Sequence, residues 1–83
     1  MKAITLLTGN GCPACKTLKQ RLASEGLLDK VIELNVHESP SGRSMMNSLG
    51  VRSIPVLADT SQGKPKTLIG SNQSIEVYKE FIL

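Results

Sequence analysis

A short apolar run, Ala3–Leu7, ends in the turn cluster Thr8-Gly9-Asn10-Gly11 and leads at once into Cys12-Pro13-Ala14-Cys15. Apolar residues bounded by turn formers read as a buried strand. From Pro13 to about Ala23 the spacing becomes helical. Ala14, Cys15, Leu18 and Leu22 share one stripe, while Lys16, Lys19, Gln20 and Arg21 fall outside it. Pro13 suits a first helical turn, where its missing N–H costs nothing. Gly26 suits a helix stop. A strand, a helix and a second strand in succession commit the chain to a parallel pair with a right-handed crossover.

Val31–Val36 supplies that second strand. A loop is expected over Ser39-Pro40-Ser41-Gly42, then a short helix over Arg43–Leu49 with Met45, Met46 and Leu49 inward and Gly50 as its stop. Val51–Pro55 approach a third strand, Val56–Ala58. A turn punctuated by Gly63 and Pro65 precedes a fourth, Thr67–Ile69, which Gly70 breaks. Ser71-Asn72-Gln73-Ser74 offer N-caps for a last helix reaching Phe81, with Ile75, Tyr78, Phe81 and Ile82 inward. Strands joined by a turn form an antiparallel hairpin. The expected fold class is α/β, in the order β-α-β-α-β-β-α: a four-stranded mixed sheet flanked by three helices.

Composition narrows the function. The 83 residues allow one domain, spanning 1–83. Hydrophobic residues make up 40% and charged ones 20%, which excludes intrinsic disorder. No apolar run approaches the ~20 residues of a membrane-spanning helix, so no membrane association is expected. A net charge of +3, with Tyr78 and Phe81 as the only aromatics, gives neither a basic face nor a stacking platform for nucleic acid. Ala3–Leu7 is shorter than the ~7–15 residues of a signal-peptide core, and no small-residue cleavage site follows. A cytoplasmic protein is therefore expected. In a reducing compartment a cysteine pair is catalytic or metal-binding rather than structural.

The spacing Cys-x-x-Cys at a helix start has a chemical reason. One helical turn brings the two sulfurs within bonding reach. The first cysteine meets the free N–H groups and the positive end of the dipole, which stabilise a thiolate. In such motifs its pKa falls from ~8.5 towards or below 7. Cys12 is thus the expected nucleophile. Cys15, a turn further in and more buried, is expected to resolve the mixed disulfide. Lys16 adds positive charge. A zinc site needs about four ligands, commonly two such pairs. The chain has one pair and a single histidine, His37. No metal site is assigned. The alternative function is a metal- or iron–sulfur-cluster-binding module, with Cys12 anchoring the group in a dimer. Pro13 speaks against it by stiffening the motif.

Together these features resemble a small dithiol glutaredoxin, or glutaredoxin-like thioredoxin, over nearly the whole chain. The resemblance rests on Thr8 to Lys16, on Gly50-Val51-Arg52-Ser53-Ile54-Pro55-Val56-Leu57, on Ile69-Gly70 before a polar helix start, and on the element order. It implies the thioredoxin fold and a dithiol oxidoreductase acting on protein or glutathione-mixed disulfides. It also implies a monomer with no tightly bound cofactor, recharged by glutathione or a thioredoxin reductase. Ribonucleotide reductase is the family-level substrate. The residues alone leave the Ile54–Pro55 bond open between cis and trans; the resemblance implies cis. Arg52, Ser53, Ile54, Gly70, Ser71 and Asn72 then become the glutathione or substrate contacts. The Ile54 backbone pairs with the substrate as an added strand, and the Ser71 and Asn72 N–H groups at the start of the last helix hold a carboxylate.

The chain departs from the family in places. Gly9 and Ala14 stand where many glutaredoxins have a lysine and an aromatic. Gly70-Ser71 replaces the usual Gly-Gly. Neutral Asn72, Gln73 and Ser74 supply no acid for glutathione's ammonium group.

Other polar residues carry plainer readings. His37 is a surface or loop histidine. Met45 and Met46 pack a helix. Arg43 is solvated, and Arg52 carries more weight because it precedes the proline. Lys64 and Lys66 solubilise a loop and an edge. The unequal cysteines give a direct test: iodoacetamide at neutral pH is expected to label reduced Cys12 before Cys15, read by peptide mass mapping. Labelling in the opposite order would reverse the two roles.

Overall fold

The computed structural model describes residues 2–83. Its elements are β1 (Ile4–Thr8), α1 (Pro13–Ser24), a 3₁₀ turn (Leu28–Lys30), β2 (Ile32–Asn35), α2 (Pro40–Leu49), β3 (Val56–Asp59), β4 (Lys66–Ile69) and α3 (Ile75–Ile82). The sheet order is β2-β1-β3-β4. β1 pairs parallel with β2, Thr5 opposite Ile32. β1 pairs antiparallel with β3, Leu7 opposite Val56, and β3 with β4, Val56 opposite Ile69. This is the thioredoxin fold.

Every residue of β1 and β3 is buried, while the edge strands β2 and β4 are partly open. Alternation along the pleat divides the core in two. Ile4, Leu6 and Leu57 face α1 and α3, where they meet Leu18, Leu22, Tyr78 and Ile82. Leu7 and Val56 face the other way, onto Val36 and the Met45, Met46 and Leu49 face of α2. Burying a Leu, Ile or Val side chain contributes about 1.5–3 kcal/mol. Substitutions in either layer therefore act on the whole fold. Among the described residues no helix is long and apolar enough to cross a membrane.

α2 begins at Pro40, three residues earlier than the sequence suggests, so Ser39–Gly42 is a helix start rather than a loop. The Ser39 hydroxyl accepts from the Gly42 N–H at 3.1 Å and Pro40 occupies the first turn, the arrangement of a capped N-terminus. Gly42 is buried. A Cβ there would lie 3.3 Å from Leu34 Cβ, so glycine lets this turn lie directly on β2. The 3₁₀ turn after Gly26 has no counterpart in the sequence reading. Ile32 is 68% exposed because β2 is an edge strand.

The two termini of the described chain meet. Lys2 Nζ donates to the Glu80 and Phe81 carbonyls at 2.8 and 2.9 Å, where a cation satisfies the last turn of α3. At the far end of β3, Asp59 accepts from the Ser61 hydroxyl and, at 3.0 Å, from the Ser61 N–H. These bonds, aided by Lys2 and Lys66 against partial desolvation, hold its carboxyl below the usual carboxylate range. The native state therefore binds fewer protons than the unfolded chain in acid. The resulting stability is present above the unfolded pKa and is lost as pH falls through the lowered native value. Thermal melts of wild type and Asp59→Asn between pH 6 and 2 are expected to converge in acid, with the steeper fall in wild type. Parallel curves would remove Asp59 from the acid response.

Candidate functional site

The strand register gathers the chemistry at one end of the sheet. Leu7 opposite Val56 sets the chain that leaves β1 beside Pro55, the residue entering β3. Val56 opposite Ile69 sets Gly70 against Pro55, and the Gly70 N–H donates to the Pro55 carbonyl at 2.9 Å. The Ile54–Pro55 bond is cis and Pro55 is buried.

Cys12 is the N-cap of α1, with extended backbone (φ −113°, ψ 94°), and Pro13 opens the helix. Cys12 and Cys15 form a disulfide across a Cα–Cα distance of 5.3 Å. The Cys12 sulfur accepts from the Cys15 N–H at 3.1 Å. In the dithiol that donor and the helix dipole both favour a thiolate on Cys12. Cys15 is 2% exposed, whereas Cys12 is partly open to solvent. The two sulfurs border a cavity of about 790 Å³ whose walls include Thr8, Lys16, Lys19 and Glu33. Lys16 is exposed there. A second cavity, of about 550 Å³ between Pro40, Met45, Leu49 and Pro65, is lined by no cysteine and no charged side chain; its polar groups are the hydroxyls of Ser41, Ser44, Ser48 and Thr60.

Several supporting residues escaped the sequence reading. Glu33 lies beside the motif, accepting from Thr8 Oγ1 at 2.7 Å and pairing with Lys19 Nζ at 3.1 Å. His37 is exposed, as a surface histidine would be, but it has a partner: its Nδ1 accepts from the Asn10 N–H at 2.7 Å. Asn35 completes the link, donating to Asn10 Oδ1 at 2.9 Å and accepting from the His37 N–H at 2.8 Å. The expected parallel pairing of the first two strands held the clue, because it sets Thr8 opposite Asn35 and the two following loops side by side.

Position 9 is crowded by the ends of two side chains. A Cβ on Gly9 would sit 2.5 Å from Ile54 Cδ1 and 2.7 Å from His37 Cε1. The lysine common in the family at this position has no room here unless both neighbours move. Arg52 and Ser53 are exposed, and Ile54 is half-buried over Gly9. Arg43 and Arg52 border a cleft of about 320 Å³ with His37, Met46 and Ile54. Among the described residues no three His, Cys, Asp or Glu side chains gather as a metal site.

The Gly70–Asn72 segment is not the start of the last helix, contrary to the sequence-based expectation. The N-cap of α3 is Ser74, whose hydroxyl accepts from the Val77 N–H at 3.4 Å. Ser71 and Asn72 therefore precede the helix, and their N–H groups are not its terminal donors. Ser71 is buried, Asn72 is exposed, and Gly70 takes φ +95°, which favours glycine. The sequence offers four neighbouring polar residues as caps, and Ser74 takes the role, while the backbone of Ser71 and Gln73 is held by Arg21 and Tyr78.

A family model described as glutaredoxin matches residues 4–60. No curated protein sequence matches the chain. Among solved structures, mitochondrial thioredoxin 3 from Saccharomyces cerevisiae in its oxidised form superposes with a TM-score of 0.73 at 20% identity, covering 98% of this chain and 76% of that one. A thioredoxin from Thermus thermophilus gives 0.69 at 20% identity, over 95% and 69%. One from Trypanosoma brucei brucei gives 0.73 at 15%, over 98% and 73%. At these identities the structures establish the shared fold.

The crowding at position 9 yields a test. Gly9→Ala is expected to cost no more than about 1 kcal/mol, the low end of overpacking, because Ile54 Cδ1 and His37 Cε1 are side-chain ends that can swing aside. Because the displaced groups flank Cys12 and Pro55, kcat/KM on a disulfide substrate is expected to fall several-fold even where the protein remains folded. Urea melts and steady-state assays measure the two effects, and wild-type turnover would show that the contact does not shape the site.

Proposed function

The chain belongs to the glutaredoxin family and is a thiol–disulfide oxidoreductase, and from that premise we propose that it reduces protein and glutathione-mixed disulfides through Cys12 as nucleophile and Cys15 as resolving thiol. One observation carries the assignment of roles: the two sulfurs are bonded at the N-terminus of α1, with Cys12 partly open and Cys15 buried. Only the open sulfur can meet a substrate in line.

The Cys12 thiolate attacks one sulfur of the substrate disulfide, forming a mixed disulfide and expelling the other sulfur as a thiolate, which takes a proton from water. Cys15 gives up its proton and attacks the Cys12 sulfur, releasing the second substrate thiol. Two electrons pass to the substrate, and Cys12–Cys15 is left as a disulfide. Two glutathione molecules restore the dithiol: the first opens the bond as a mixed disulfide on Cys12, and the second leaves with it as oxidised glutathione.

The substrate docks between two backbone segments. The Ile54 main chain beside Pro55 pairs with it as an added strand. The Ser71 and Asn72 N–H groups take the carboxylate of glutathione's γ-glutamyl end. Arg52 and Ser53 lie at the rim, and Pro13, Lys16 and Pro55 shape the approach. Neutral Asn72, Gln73 and Ser74 leave the ammonium group of glutathione without an adjacent anion in that segment. A charge-assisted hydrogen bond contributes about 1.5–3 kcal/mol, so its loss weakens affinity about ten-fold or more. Glutathione is therefore a serviceable but modest donor, and a thioredoxin reductase is a second one. We place the protein in the cytoplasm as a single-domain monomer, with disulfide-bearing proteins such as ribonucleotide reductase as substrates.

Cys12→Ser is expected to abolish reduction of insulin disulfides. Cys15→Ser is expected to accumulate a mixed disulfide visible by non-reducing mass spectrometry, while retaining activity on glutathione adducts. Steady-state assays with each donor decide the rest: efficient turnover with thioredoxin reductase and none with glutathione would overturn the glutathione assignment.

A further inference from the structure

The segment joining β4 to α3 is gripped by two side chains that the disulfide chemistry does not use. Arg21, on α1, donates through Nη1 to the Ser71 carbonyl at 2.5 Å and through Nη2 to the Gln73 carbonyl at 2.6 Å. Its guanidinium lies 5.1 Å from the centre of the Tyr78 ring. Tyr78, fully buried, donates its hydroxyl to the Gly70 carbonyl at 2.9 Å and accepts from the Gln73 N–H at 3.3 Å. The carbonyls of Gly70, Ser71 and Gln73 are thus all drawn inward.

Peptide planarity turns this grip into a functional consequence. In a trans peptide the C=O of one residue and the N–H of the next point in opposite directions. Holding the Gly70 carbonyl on Tyr78 directs the Ser71 N–H away from the core. Holding the Ser71 carbonyl on Arg21 does the same for the Asn72 N–H. Among the described residues neither of these N–H groups has an acceptor. The Arg21 charge also polarises the Ser71–Asn72 peptide it binds, which strengthens the N–H as a donor.

We propose that Arg21 is a positioning residue for the substrate: with Tyr78 it fixes Ser71 and Asn72 as an adjacent pair of outward donors for a carboxylate. The inference rests on the reading that the substrate docks at this segment. It supplies what the position of Ser74 as N-cap removed, since the donors are aimed by side chains from α1 and α3 rather than by a helix terminus. The planar fork matters because it sets a separate nitrogen on each carbonyl, Nη1 on Ser71 and Nη2 on Gln73, which the single nitrogen of a lysine does not do. Arg21→Lys is therefore expected to keep the charge and lose the geometry.

The test uses the oxidised full chain, ¹⁵N-labelled, titrated with S-methylglutathione, which cannot exchange thiols. In wild type the Ser71 and Asn72 amide signals are expected to shift together with one Kd. Arg21→Gln is expected to raise that Kd about five-fold or more, about 1 kcal/mol, with Arg21→Lys between the two. Tyr78→Phe, which keeps the ring under Arg21 and removes the hydroxyl, is expected to weaken binding as well. On a glutathione-capped disulfide, Arg21→Gln is expected to raise KM and leave kcat within about two-fold, a split that general destabilisation does not produce.

Wild-type Kd in Arg21→Gln with the amide shifts intact would overturn the positioning role and leave the docking reading standing. A fall in kcat at unchanged KM would overturn it too. Amides that do not move in wild type would overturn the docking reading and this inference together. Should Arg21→Gln fail to fold, Arg21→Lys and Tyr78→Phe carry the same comparison.

Discussion

The antiparallel pairing of β1 with β3 is the constraint on which everything else hangs. Both strands are buried along their whole length, so each residue of either must face one apolar layer or the other. Alternation then assigns Ile4, Leu6 and Leu57 to the α1–α3 layer, and Leu7 and Val56 to the α2 layer. A slip of one residue would exchange the two sets and undo both layers at once. The register is therefore strongly specified. With it comes the relative position of the two segments that matter chemically, the one leaving β1 and the one entering β3.

The site follows as a boundary effect of that register. No residue of the motif belongs to a strand. Cys12 follows the end of β1, Pro55 immediately precedes β3 and Gly70 immediately follows β4, with the last two joined by one more ladder bond. The sheet brings these ends together, and local groups refine them. α1 presents its free N-terminal donor to the Cys12 sulfur. Asn10, Asn35 and His37 brace the preceding loop. Arg21 and Tyr78 set the facing of the Gly70–Gln73 peptides. The chemistry is held by backbone donors and acceptors, and side chains act mainly by fixing which way those groups point.

Gly9 and Gly42 illustrate how small residues let these parts meet. Gly42 admits the first turn of α2 onto β2, and Gly9 admits Ile54 and His37 onto the loop before Cys12. Neither glycine could be assigned this role from its neighbours in sequence, because the atoms that crowd it come from other elements.

The sequence by itself determined the element order, the mixed sheet, the cysteine pair at a helix start and the inward faces of the helices. These features depend on residues a few positions apart: apolar spacing, turn formers, and a proline at a first turn. Tertiary structure alone decided the rest. It moved the start of α2 to Pro40, because Ser39 could cap it and Gly42 could lie against Leu34. It gave His37 a partner across the β1–β2 pair and left Ile32 on an open edge. It chose Ser74 from four candidate caps and made Arg21, on the polar side of its helix by pattern, the holder of a loop 50 residues away. Helical spacing tells which face of α1 is buried, but what the other face reaches depends on where the sheet delivers the chain after β4.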